Sequence, residues 1–292
     1  MGRAFDRTHF PLTQLLLKSQ DSGVYSDLDS LLRQLQVAVD QDDQDGVVRV
    51  IGQVRSLSLV SSNPLFTLLW GTSVTHLGSL RKDDSQACVL YDSARKAFNA
   101  YLALAPGDPL ITSEVLEMIS GCAAESALRC PEPAQMAVSF LESIVYQTQA
   151  LKAIQTAASS QINIYGSSDL EALIRKQVIH RKRGLGTRLL EYASTLERIP
   201  DGKMIEISRE INGRRWKGLP SEWSLIHDSA VYSVGRRHSL LSFIYLLSFL
   251  QYKQTLSEEG GFRARLHLAK SLCGLGRAQA KSIYDERLGM YF

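Results

Sequence analysis

An all-α protein of two lobes is what this sequence predicts. Three observations carry that expectation. Apolar residues recur at helical spacing, as in Ser26–Val39 and in the long pattern from Pro133 to about Ser159 with Met136, Phe140, Ile144, Leu151 and Ile154. Three prolines follow a polar residue where a helix would open, at Asn63-Pro64, Asp108-Pro109 and Glu132-Pro133. Proline is tolerated there because the first helical N–H has no intrahelical partner. Finally, 45% of the 292 residues are hydrophobic, enough for a real core, and the 22% charged fraction is not that of a disordered chain.

In chain order, Ser26 is placed as the N-cap of the first helix. An acidic turn follows, with Asp40, Asp42, Asp43 and Asp45. A calcium loop aligned on Asp43, Asp45 and Gly46 would put Gln41 first and Gly52 last, where acids are required, so a solvated loop is expected. Helices then open at Pro64, Pro109 and Pro133. In the stretch LYDSARKAFNAYLALAPGDP, Ala94, Phe98, Leu102, Leu104 and Pro106 resemble the second helix of a tetratricopeptide repeat. That resemblance covers half of one repeat, residues 90–109, and implies a helical hairpin in the first lobe. The segment SSQINIYGSSD breaks the periodicity and marks the expected boundary, giving an acidic lobe at 1–160 and a basic lobe at 161–292. Ser168 with Glu171 three residues on is a capping-box signature. Residues 203–216 fit two readings. One is a helix with Met204, Ile207 and Ile211 on one face; the other is a short β-hairpin closed by Asn212-Gly213. Leu240–Leu250 is the most apolar stretch, too short to span a bilayer and expected as a buried helix.

The net charge of +3 hides an asymmetry. Residues 1–150 carry 11 Lys and Arg against 17 Asp and Glu, and residues 151–292 carry 22 against 13. The basic half calls for an anionic partner, unless the two lobes neutralise each other or copies of the chain assemble head to tail. Cys88, Cys122, Cys130 and Cys273 form no CxxC pair, have no nearby histidine, and read as buried free thiols of a reducing, intracellular compartment. No signal-peptide run opens the chain, and Asp6 stands where a myristoylation signal wants Ser or Thr. No phosphate loop, dinucleotide fingerprint, nucleophile elbow or zinc-protease motif occurs, so no catalytic residues, cofactor, metal or membrane partner are expected.

Basic clusters carry the functional expectation. Arg175, Lys176, Arg181, Lys182 and Arg183 lie on an amphipathic pattern whose other face holds Leu170, Leu173, Ile174 and Val178. Arg175 with Lys182, and Lys176 with Arg183, share a face at seven-residue spacing. Gly184 offers a helix C-cap, and the run His180–Arg183 admits nuclear as well as cytoplasmic location. A second cluster is Arg214, Arg215, Trp216 and Lys217, where guanidinium groups suit phosphate and an indole suits a base. A third is Arg236 and Arg237.

The stretch SLCGLGRAQAKSI, within residues 266–286, resembles the helix-hairpin-helix motif of nucleic-acid-binding proteins through Leu272, Gly274, Leu275, Gly276, Ala280 and Ile283. Cys273 stands where that family often has proline. The resemblance implies a glycine turn between two helices, with the N–H groups at Gly274 and Gly276 on a phosphate and Arg277 and Lys281 adding charge. Arg183–Ala193 is a poorer copy. The expected function is phosphate-dominated nucleic-acid binding, RNA or single strands favoured, with nucleocapsid-like assembly through the acidic lobe. The alternative is a helical scaffold that binds protein partners and no nucleic acid.

Overall fold

The structure is a computed structural model. It describes residues 30–31, 33–34, 37–38, 41, 43–56, 64–105, 107–165, 168–212, 214, 216, 219–228, 232, 236–259 and 262–289. Among these residues the fold is all-α, with no strand. The helices are α1 (Gln44–Ser56), α2 (Pro64–Leu80), α3 (Asp84–Leu104), α4 (Pro109–Arg129), α5 (Pro133–Tyr165), α6 (Ser168–Arg198), α7 (Asp201–Asn212), α8 (Arg237–Glu259) and α9 (Phe262–Gly289), with a 3-10 turn at Ser221–Ile226.

Prolines 64, 109 and 133 each open a helix, as the sequence predicts. Asp83 caps α3 by accepting the Gln86 N–H at 2.8 Å, and Asp108 caps α4 by accepting the Leu110 N–H at 2.8 Å. Asp43 in the acidic turn accepts the Gly46 N–H at 2.9 Å, so this carboxylate starts α1. Ser26 lies outside the described residues.

The chain divides into two compact units, Met1–Cys130 and Pro131–Phe292. This differs from the boundary expected near residue 160. Residues 159–165 of that segment belong to α5 and residues 168–169 open α6, and α5 and α6 pack on each other. A local turn signal does not encode whether the helices on either side touch.

In the first unit α2 packs on α3, and α3 on α4, around Leu68, Val74, Leu90, Phe98, Val115 and Ile119. Ala94 and Phe98 are fully buried, whereas Leu104 is exposed and Pro106 lies outside the described residues. Gly71 lets α2 approach α3 closely, since an added Cβ would sit 2.6 Å from the Phe98 ring. Thr75 meets Cys122 at 3.3 Å between α2 and α4.

In the second unit α5 packs on α6 and α7, α6 on α8, and α8 on α9. Its core includes Ile144, Leu189, Tyr192, Leu196, Ile207, Ile244 and Tyr245. Residues 201–212 are helical, with Met204, Ile207 and Ile211 buried on one face, so the β-hairpin alternative at 203–216 is corrected. Three inward apolar residues at helical spacing outweigh partial alternation, because each turn of helix can bury one. In α8, Leu240, Leu241, Ile244, Tyr245 and Leu247 are buried, but Leu246 and Leu250 stand exposed. No described helix is long and apolar enough to cross a membrane.

Candidate functional site

The basic residues singled out in the sequence all fall in the second unit, and Arg183, Arg214, Arg237 and Arg277 bond to groups on other helices of it. Arg175 and Lys176 are exposed on α6, and Arg175 pairs with Glu171 one turn earlier at 3.2 Å. Arg181 is fully buried. Its guanidinium donates to Gln177 at 2.9 Å, and its carbonyl accepts from Gln147 at 3.2 Å. Lys182 and Arg183 are half-buried, and Arg183 donates to the Thr255 carbonyl at 3.4 Å on α8. Arg214 is exposed and pairs with Glu142 at 2.9 Å. Trp216 donates its indole N–H to the Ile211 carbonyl at 3.0 Å, closing the end of α7. Arg215 and Lys217 lie outside the described residues. Arg236 is exposed, whereas Arg237 is buried, donating to the Asp201 carboxylate and the Leu196 carbonyl.

The glycine turn is corrected outright. Residues 262–289 form one continuous helix, and Gly274 and Gly276 lie in its middle. Their N–H groups are committed to the helical ladder and are not free for phosphate. The physical reason for Gly274 is packing: it is buried, and an added Cβ would overlap the Tyr245 ring of α8. Gly276 is exposed with no atom near its missing Cβ. Gly184 and Gly186 likewise sit inside α6, against Gln147 and Tyr252, so Gly184 is not a C-cap.

Arg277 donates to both oxygens of Glu197, at 3.3 and 3.1 Å, joining α9 to α6. Tyr245 donates to the same carboxylate at 2.9 Å. The Arg277 hydrogen bond holds the Glu197 carboxyl below its ordinary range against the opposing effect of burial, with Tyr245 helping. Lys281 is exposed.

A polar seam runs between α6, α8 and α9. Thr187 spends its proton on the Arg183 carbonyl at 3.0 Å. Tyr252 therefore donates to Thr187 at 2.5 Å and accepts from His267 Nδ1 at 2.7 Å, which fixes the imidazole tautomer. Ser248 donates to the Gly186 carbonyl and lies 2.8 Å from Ser271. The seam sets the register of the three helices.

Arg183 meets its partner fourteen residues before Glu197 on α6, about 21 Å along the helix, and Arg175 lies about 12 Å further back. What the sequence reading missed is the outer side of α9. Arg263, Arg265 and Lys270 are exposed there with Arg277 and Lys281, and residues 262–281 contain no acid. The seven-residue spacing of Arg263, Lys270 and Arg277 was the signal that marks this row, since such residues share a face.

Of the four cysteines, Cys122 is buried, Cys88 and Cys130 are half-buried, and Cys273 is exposed, which corrects its placement as a buried thiol. Burial raises the Cys88 thiol above its ordinary pKa. No group of His, Cys, Asp and Glu suited to a metal ion occurs among the described residues. No protein-family model, curated protein or solved structure matches the chain.

Proposed function

We propose that the chain is a helical assembly subunit that works through contacts with other polypeptides. The observation that carries this reading is the exposure of large apolar side chains on the α8–α9 hairpin. Leu246 and Leu250 are exposed on α8; on α9 Phe262 is 80% exposed, Leu272 54% and Leu266 40%. Exposed apolar side chains on neighbouring helices are what a protein contact surface draws on. Removing one such side chain from water is worth about 1.5–3 kcal/mol. A second reading, nucleic-acid binding, keeps one specific support, the five exposed cations of residues 262–281 of α9, a stretch without an acid.

Light scattering across a concentration series, with the 260/280 nm absorbance ratio, tests both. The assembly reading expects a mass that rises above the 32.5-kDa protomer with a ratio typical of protein. A protomer at every concentration that retains oligonucleotides at low salt would replace it with the second reading.

A further inference from the structure

Two thiols meet in the first unit where α3 passes the end of α4. Cys88 on α3 donates its S–H to the Ser126 carbonyl at 3.8 Å. Cys130 caps the end of α4 and lies four residues beyond Ser126, on the same side of the helix. Its N–H donates to the Ala127 carbonyl at 3.3 Å, so the two cysteines sit on adjacent carbonyls of one turn. One turn before Cys88, Asp84 pairs with Arg129 at 3.0 Å, and Arg129 also donates to the Arg81 carbonyl at 3.3 Å. These contacts on either side of Cys130 hold the last turn of α4 in register with α3. Both thiols are half-buried.

The other two cysteines are placed differently. Cys122 is buried against Thr75 at 3.3 Å, and Cys273 is exposed on α9. Burial raises the Cys88 thiol above its ordinary pKa, the neighbouring Cys130 thiol raises it further, and the Arg129 guanidinium opposes them. A thiol held protonated attacks a dissolved disulfide slowly, but it is well placed to displace a group carried by the sulfur beside it. Cys130 has an extended backbone past the helix end, and Pro131 after it has no N–H. The chain can therefore turn toward Cys88 there with the ladder of α4 intact.

We infer that Cys88 and Cys130 are a reversible thiol–disulfide pair, oxidised by a small disulfide such as oxidised glutathione. The Cys130 thiolate attacks one sulfur of that disulfide, whose S–S bond breaks. The departing glutathione thiolate takes up the proton that Cys130 lost, and Cys130 is left as a mixed disulfide. Cys88 then gives up its proton and attacks the Cys130 sulfur. The bond to glutathione breaks, and the second glutathione thiolate takes that proton. Two protein thiols are oxidised, and one glutathione disulfide is reduced to two thiols. The product ties α3 to the end of α4 and constrains the unfolded chain between them. The pair lies in the first unit and operates whether or not the chain assembles.

Glutathione buffers that run from reduced to oxidised test it. The folded native chain is equilibrated in each, quenched in acid and alkylated, and its peptides are mapped by mass spectrometry. The expected result is a Cys88–Cys130 linkage within one protomer. Both thiols are lost together as the buffer becomes oxidising, and both return with dithiothreitol. Cys122 is expected to stay a thiol and Cys273 to carry glutathione. Cys88→Ser should trap the glutathione on Cys130 that the native chain expels, and Cys130→Ser should leave Cys88 a thiol. Circular dichroism checks that the variants fold, and the mapping of the native chain decides the matter if either does not. Cys88 and Cys130 that stay thiols in every buffer, or that carry glutathione separately without linking, overturn the inference. So does a linkage that forms only between two chains, or only in urea.

Discussion

Glycine is used in this protein where helices must touch. Gly274 and Gly276 are two residues apart in one helix, yet they meet opposite surroundings. At Gly274 a Cβ would collide with the buried Tyr245 ring, and at Gly276 it would meet open space. Neither position needs a left-handed backbone, so the difference is packing alone. Gly274→Ala is expected to destabilise the fold by about 1–3 kcal/mol, because the ring or the helix must shift. Gly276→Ala is expected to stabilise it by about 0.5–1 kcal/mol, because alanine limits the unfolded chain and favours helix. Urea titration of the two variants checks this. A phosphate-binding turn would have required a different pattern, with Gly276 the sensitive position. The same physics explains why the motif resemblance misled. Gly-Leu-Gly fits a turn between helices and a close contact within one helix equally well by residue type.

At the scale of elements, α9 is joined to α6 by Arg277 and Glu197 and to α8 by the polar seam. The Glu197 carboxyl titrates below its ordinary value near 4.5 in the folded protein, mainly because Arg277 binds its charged form. A group with a depressed folded pKa adds stability above its unfolded pKa and loses it as pH falls through the folded pKa. Arg277→Gln should therefore lower stability at neutral pH by less than about 1 kcal/mol, since the pair is partly exposed. The difference from the native chain should close as the pH drops below the ordinary carboxylate range. Melting curves at pH 7 and in acid read this directly. A gap that persists in acid would mean that Arg277 acts by packing and not by charge.

The whole molecule is two units joined at Cys130-Pro131, and the second holds its own core of tyrosines and aliphatic residues. Residues 131–292 are expected to fold alone, giving a helical circular dichroism spectrum and one cooperative melt. A truncation at 161–292, the boundary suggested by the break in periodicity, would remove all but the last turn of α5, on which both α6 and α7 pack. It should therefore lose cooperative melting. If the two fragments behave alike, the division at residue 130 is not an energetic one.

Periodicity and punctuation were enough to determine the all-α class, the openings at Pro64, Pro109 and Pro133, and the helix start at Ser168. These depend on neighbours within a few residues: a missing N–H, a capping carboxylate, apolar side chains one turn apart. The fate of the basic clusters was decided only by the tertiary structure. Arg181 and Arg237 read in sequence as cations for a ligand, and both are buried among partners from their own unit. Arg214 and Arg277 pair with acids 72 and 80 residues away. A charge is written in the sequence, but its environment is set by which helices meet, and that depends on contacts between residues far apart along the chain.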